Sequence, residues 1–491
     1  MRGPTRRMRL RGGFSHCSTR PESVSIFRLL HMHLLDSRDP RPVHFVGIAG
    51  AGMSALAELF VRRGVAVTGC DANPAGAGDL TKLGVTVGPH DPAHVDGARA
   101  IVVTSAMPKD HPELARAREL GIPVIRRAEA LGEVTVGREL VGIAGTHGKT
   151  TTTVMTTMAL AAAGRDPTAL VGGRVGTWEG NLRAGGDRLY VVEADEYDRS
   201  FLALSPTVAV VTNVEADHLD IYADLADIER AFAQFVRGAR SIVLCAEDPG
   251  ANGLPTPSTT EVIRYAIDSA DARLLARNIR SNGGGSSFDV VYDDEPLGHV
   301  ELQVPGRHNV LNALAAVGAG LALGAEFGAL ATGLAAFGGA ERRFQHLGEA
   351  RGVLVIDDYA HHPTEIAATL AAARAAFPHR RLVTAFQPHL FSRTRDFARE
   401  FGASLSNADA VFLTEIYPAR EKPIEGVSAT LIADAIRTAG GTLAWRGNRD
   451  HLADALAAEV HAGDVVLTVG AGDITKTGPE LLDRLREDQS P

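Results

Sequence analysis

The segment Gly145-Thr146-His147-Gly148-Lys149-Thr150 follows the apolar run Leu140–Ala144 and precedes a helical stretch, Thr151–Ala163. A strand, a glycine-rich turn and a helix in that order make a phosphate cradle. The glycines let backbone N–H groups close on phosphate oxygens, and the helix N-terminus adds positive potential. Lys149 can then reach the terminal phosphates, and the Thr150 hydroxyl suits Mg²⁺. The spacing is a shortened relative of G-x-x-x-x-G-K-[ST], because Ile143 stands where the first glycine belongs. The chain holds only five lysines among 50 basic residues, so a lysine at this place carries information.

Two more apolar runs, Leu189–Val192 and Val208–Thr212, lead into acidic triplets: Glu193-Ala194-Asp195 and Glu215-Ala216-Asp217, the second followed by His218. Ligands of open parallel sheets sit at the carboxyl ends of the strands, so both triplets can converge on phosphates held at 145–150. Glu193 is the preferred Mg²⁺ ligand and His218 a softer second. The turn Pro305-Gly306-Arg307-His308-Asn309 opens a helix that also carries Asn312. Amides there can read an adenine edge and the imidazole can stack on its face, although an ordinary polar first turn uses the same residues. Asp357-Asp358-Tyr359-Ala360-His361-His362-Pro363 and Gln387-Pro388-His389-Leu390-Phe391-Ser392-Arg393 again follow strands, which suggests a second ligand site across a cleft. Arg342-Arg343 lies between these groups and suits phosphate.

A further glycine-rich turn, Gly47-Ile48-Ala49-Gly50-Ala51-Gly52-Met53, is followed by Asp71 at the end of the next strand. Its order is G-x-x-G-x-G rather than G-x-G-x-x-G. A nicotinamide dinucleotide, a UDP-sugar or a plain tight turn all fit that pattern.

The elements that must position these residues alternate between strand and helix from Pro42 onward, which predicts α/β architecture in three units. The expected boundaries are 42–137, 138–340 and 341–491, with 281–287 a flexible loop in the middle unit. Residues 1–41 hold nine arginines and three acids without apolar periodicity, and read as a disordered extension or a misplaced start. A net charge of −9 disfavours nucleic acid as the main partner. Three scattered cysteines argue against a disulfide framework and a thiolate zinc site, and point to a reducing cytoplasm. No strongly apolar run is long enough to predict membrane insertion.

Taken together and in order across about residues 43–475, the segments His44–Met53, Ala144–Thr152, Val192–Glu196, Thr212–His218, Gly306–Asn312, Arg342–Gln345 and Asp357–Pro363 resemble the ATP-dependent Mur ligases of peptidoglycan synthesis. The resemblance implies a Rossmann-like N-terminal domain for a UDP-sugar, a central P-loop-type parallel-sheet domain for ATP and a Rossmann-like C-terminal domain for an amino acid. The implied reaction joins L-alanine to the lactyl carboxylate of UDP-N-acetylmuramate through an acyl phosphate, with ATP and two Mg²⁺ ions, in a monomer or weak homodimer. By the same resemblance Lys149, Glu193 and His218 are catalytic, and Thr150, Glu193 and His218 hold metal. ATP falls to Gly145, Thr146, His147, Gly148, Lys149, Thr150, Thr151, His308, Asn309, Asn312, Arg343 and Asp358. The UDP-sugar falls to Gly47, Ala49, Gly50, Ala51, Gly52, Met53, Asp71, His90, Ser105 and Arg127, and the amino acid to Tyr359, His361 and Arg393. Leu390 stands where some members carry a second arginine. No lysine lies between 149 and 422, so the carbamylated lysine of several sister ligases has no counterpart.

Overall fold

Three sheets follow one another along the chain in the computed structural model, which describes residues 33–281, 284–419 and 421–487. The first is parallel, with Val43–Val46 at its centre, Val67–Cys70 and Ala100–Val103 beside it, and Thr86–Gly88 and Val124–Arg126 at the edges. Its central strand is buried along its whole length, as helices on both faces of a parallel sheet require. The helix Ala51–Arg62 starts directly after the glycine-rich turn.

The middle sheet has ten strands. Glu139–Ala144 lies between Val208–Val211 and Leu189–Glu193, parallel to both, with Ala144 opposite Val211 and Ile143 opposite Glu193. That register brings the 145–150 turn and both acidic segments out at one end. The sheet is mixed rather than purely parallel: Ser286–Tyr292, Glu295–Leu302 and Gly180–Arg183 run antiparallel to their neighbours. Short connections can join only antiparallel strands, which is why these additions are hairpins. The expected loop at 281–287 falls where two of these strands meet: Ser281 ends one and pairs with Ser286 at the start of the next, and 282 and 283 lie outside the described residues.

The third sheet places Val353–Asp358, Val465–Val469, Leu382–Phe386, Ala410–Thr414 and Leu443–Gly447 in parallel, with Gln345–Ala350 antiparallel on the edge. Its apolar clusters are its own, one on each face. The first two sheets instead share one continuous core. Arg63 ties them together, donating to the Gly185 and Gly186 carbonyls at 3.2 and 2.9 Å.

Part of the supposed disordered extension is docked. Leu34 is buried, its N–H donates to Glu133 Oε1 at 2.8 Å, and Arg99 donates to the Leu34 and Asp36 carbonyls at 2.8 and 2.9 Å. Leu34 and Leu35 pack on the core and the Glu133 and Arg99 side chains bond the backbone at 34 and 36, neither of which leaves a periodic signal. The rest of that expectation falls on 1–32, outside the described residues. Among the described residues no helix is long and apolar enough to cross a membrane.

Candidate active site

The 145–150 turn is latched from the next strand. Thr212 Oγ1 and Asn213 Nδ2 donate to the His147 carbonyl at 2.6 and 3.2 Å, and Asn213 Oδ1 accepts from His147 N at 2.7 Å. Two glycines are obligatory here. Gly145 has φ +143° and a Cβ on it would collide with Thr212 Oγ1; Gly148 has φ +80° and its Cβ would lie 2.7 Å from Asn312 Oδ1. Gly148 precedes the helix Lys149–Ala162, whose first N–H groups are left for a ligand.

Lys149 Nζ donates to the Gly145 carbonyl at 2.7 Å and to Glu196 Oε1 at 2.9 Å. Burial alone would favour the neutral amine, but the charges of Glu196 and Asp195 outweigh it and lift the lysine to about 12. It is therefore a fixed cation. Thr150 Oγ1 lies 3.0 and 2.9 Å from the two oxygens of Glu193, which also accepts from Gly172 N at 2.6 Å. This pair of hard oxygen donors beside a phosphate turn fits Mg²⁺. His218 does not join that pair. Its Nε2 faces Glu196 at 3.6 Å and Asp217 at 3.7 Å, and these carboxylates raise its affinity for a proton against the opposing effect of burial.

The third domain closes over this end of the sheet through charged contacts. Arg393 donates to Asp217 Oδ1 at 2.7 Å, with both side chains buried. Thr364 Oγ1 donates to Glu215 Oε2 at 2.7 Å. His147 lies 3.5 Å from both Glu215 and Glu365, with its ring 4.6 Å from that of His362. Burial disfavours a charge on His147, yet the two glutamates raise it to about 9. His361 sits 3.2 Å from Glu365, and the Tyr359 ring carries the guanidinium groups of Arg342 and Arg343 at 4.9 and 5.1 Å.

Between the second and third domains runs a cavity of about 350 Å³ that reaches from His147 and Gly148 to His308, Asn309, Asn312, Arg343 and Asp358. Asn312 is braced by Thr152 and Asn309 at 3.1 and 3.2 Å. Burial pushes Asp358 up to about 6 despite nearby Arg343 and the N–H groups of Ala360 and Phe344. A second cavity, of about 320 Å³, lies between the first and second domains. It is lined by Gly50, Ala51, Gly52, Met53, Ser105 and Arg127, and at its other end by Glu193 and Asp195. Asp71 supports the turn from behind, accepting from Ala49 N at 3.0 Å, and Gly47 makes the bend with φ +82°. His90 is not among the residues lining this cavity; its Nδ1 lies 3.1 Å from Cys70 Sγ, in a cluster around Glu113.

Family models match this chain in three consecutive pieces: "Mur ligase family, catalytic domain" over 42–138, "Mur ligase middle domain" over 143–320 and "Mur ligase, glutamate ligase domain" over 342–472. The chain belongs to the Mur ligase family. It is an ATP-dependent ligase with the three-domain architecture of that family. Among Mur ligases it is 46% identical over 469 residues to the UDP-N-acetylmuramate–L-alanine ligase of Acidothermus cellulolyticus, covering 92% of this chain and 98% of the relative. It is 47% identical to that of Kineococcus radiotolerans, over 91% of this chain and 96% of the relative. The crystal structure of the UDP-N-acetylmuramate–alanine ligase from Thermotoga maritima superposes with TM-score 0.78 at 29% identity, covering 91% of this chain and all of that one. A murein peptide ligase from Psychrobacter arcticus gives 0.66 at 27%, covering 91% of this chain and 98% of that one.

Several site residues of this Mur ligase escape selection from sequence. Glu196, which anchors Lys149, stands one residue beyond the first acidic triplet and is given no role of its own by the sequence. Glu215 and Asp217 are visible as acids, but their partners Thr364 and Arg393 lie 149 and 176 residues away. Glu365 does leave a signal: three residues after His362, it has capping-box spacing, and it accepts from the N–H of both His361 and His362.

Proposed function

We propose that this Mur ligase joins L-alanine to the lactyl carboxylate of UDP-N-acetylmuramate, with ATP converted to ADP and phosphate. One observation carries the reading: Glu193 lines the cavity that begins at the 50–53 turn and at the same time holds Thr150 of the phosphate loop. A substrate anchored by its diphosphate at Gly50–Met53, Ser105 and Arg127 thus presents its far end where ATP presents its γ-phosphate.

The first step brings two anions together. The lactyl carboxylate oxygen attacks the γ-phosphorus, the bond to the β,γ-bridging oxygen breaks, and ADP leaves. Lys149, held cationic by Glu196, neutralises the transferred group, and the helix N-terminus at 149–151 receives it. Mg²⁺ held by Thr150 and Glu193 would supply further charge neutralisation. A second ion at His218 would take a neutral imidazole nitrogen and displace its contacts with Glu196 and Asp217. Adenine and ribose occupy the cavity of His308, Asn309, Asn312 and Asp358, with Arg343 beside the phosphates. In the second step the neutral amine of L-alanine attacks the acyl carbon, phosphate leaves, and the surplus amine proton passes to solvent or a carboxylate. The amino acid falls to Tyr359, His361 and Arg393, of which Arg393 reaches from the third domain to Asp217.

The test is ADP release across a panel of amino acids, with and without UDP-N-acetylmuramate. The reading requires release that depends on both the sugar and L-alanine. Release that needs a peptide instead of the free amino acid would favour the peptide-joining branch of the family.

A further inference from the structure

The first domain contains a polar cluster that lines neither of the two cavities. Glu113, in the first turn of the helix Pro112–Leu120, is fully buried. Its Oε2 faces Cys70 Sγ at 2.9 Å, His90 Nδ1 at 3.8 Å, and His44 Nε2 and His111 Nδ1 at 4.0 Å each; its Oε1 faces His94 Nδ1 at 3.8 Å. Glu113, Cys70 and His44 are buried and His90, His94 and His111 only partly so, and a carboxylate, a thiol and an imidazole are costly to bury together unless something satisfies them. Hydrogen bonds do so only in part. His44 Nε2, His94 Nδ1 and His111 Nδ1 are buried with no hydrogen-bond partner, and His44 is only 1% exposed.

The orientation of the donors is that of a ligand set. His44 Nδ1 is tied to Thr68 Oγ1 at 2.9 Å, which turns Nε2 inward, the arrangement that outer partners impose on metal-bound imidazoles. Cys70 Sγ, His90 Nδ1 and one Glu113 oxygen lie within 4.8 Å of one another, as do donor atoms of His44, His94 and Glu113. Sulfur, nitrogen and carboxylate oxygen together select a zinc-like ion over Mg²⁺.

We propose that Cys70, His90 and Glu113 form a site for one divalent ion of the zinc class, with His44 or His111 supplying the fourth donor after a small rotation. Binding replaces the Cys70 S–H bond by an S–metal bond and releases the proton to solvent. The site stands directly behind the glycine-rich turn, because the Cys70 carbonyl accepts from Gly47 N and Ile48 N at 2.8 and 3.1 Å. The ion would therefore brace the cradle of the first cavity rather than touch its ligand. Cysteine spacing alone argues against a thiolate zinc site, and it misses this arrangement because one cysteine with scattered histidines has no sequence signature.

The full chain, stripped with a chelator and titrated with Zn²⁺ alone, is expected to take up one ion that Cys70→Ser and His90→Ala both weaken. The loss should be at least about 10–100-fold in zinc affinity, the size produced by losing an outer partner alone. Zn²⁺ should raise the Tm of the wild type more than of either variant, and Co²⁺ should produce a thiolate-to-cobalt absorption that Cys70→Ser removes. His90 is part-exposed, so His90→Ala remains informative where Cys70→Ser does not fold. Absence of zinc uptake by the wild type, or uptake unchanged in a folded variant, would overturn the proposal.

Discussion

Lys149 and Glu196 form a buried ion pair at 2.8 Å, and this sets up an experiment that separates stability from catalysis. Lys149→Met removes the cation that we place against the transferred phosphoryl group. Loss of one such preorganised charge commonly costs on the order of 10²–10³ in rate, or about 2.7–4 kcal/mol. The same substitution takes the lysine from the buried Glu196 carboxylate and leaves it only His218 at 3.6 Å, and loss of one partner of a buried pair destabilises a fold by up to about 3–5 kcal/mol. An inactive single variant therefore proves little. The double variant Lys149→Met/Glu196→Gln removes both charges, and the amide that replaces the carboxylate can still accept from neighbours at that place. It should recover most of the lost stability in urea denaturation while kcat for ADP release stays at least about 100-fold down. The two readouts are expected to part because the fold needs only charge balance, whereas phosphoryl transfer needs the cation. Near-normal turnover in either variant would refute the role of Lys149. A double variant no more stable than the single one would refute the account of the pair.

His147 has its folded value raised from the ordinary 6.5 to about 9, so its contribution to stability is fully present below pH 6.5 and is lost as pH rises through 9. Tm measured from about pH 6.5 to 9.5 should fall by this route in the wild type, on the order of a few degrees, and the fall should be smaller in His147→Gln; equal slopes would count against the His147, Glu215 and Glu365 cluster. Asp358 is raised to about 6, so it is neutral below that pH and ionised above it. If it accepts the ribose hydroxyls, kcat/KM for ATP should drop as pH falls through about 6, and Asp358→Asn should be low and flat across the range. Arg393→Ala removes the buried partner of Asp217 and should raise the KM for L-alanine by roughly tenfold or more, a change of about 1.4 kcal/mol per decade, with the KM for UDP-N-acetylmuramate little altered. Gly148→Ala forces a side chain into a left-handed backbone position and against Asn312, and should cost about 1–2 kcal/mol in denaturation from the backbone alone, so that Asn312→Ala relieves only part of the loss.

Local chemistry is the most legible part of this chain. The Lys149 loop, the Glu193 and Asp217 segments and the 47–53 turn are each contiguous, and each follows an apolar run that could only be a buried strand. Register then brings them together, as Ile143 opposite Glu193 does. Contacts made by closure of the third domain are not legible, because nothing near Asp217 in sequence indicates Arg393. The hairpins at 274–302 are missed by a search for continuous apolar runs, because Leu274–Ser281 is buried only over its first three residues and Glu295–Leu302 is largely exposed. His90 is given to the UDP-sugar by resemblance alone. It follows the short edge strand Thr86–Gly88, and its imidazole lies against Cys70 and Glu113, a side-chain direction that is not written in spacing.

The central claim is that ATP is used to make a carboxylate reactive toward an amine. It is tested most directly with UDP-N-acetylmuramate carrying heavy oxygen in both positions of its lactyl carboxylate. The account predicts that each turnover transfers one labelled atom to inorganic phosphate, visible as an isotope shift in the phosphorus spectrum, and leaves the other in the new amide carbonyl. Phosphate released without label, while L-alanine is joined at the normal rate, would contradict it.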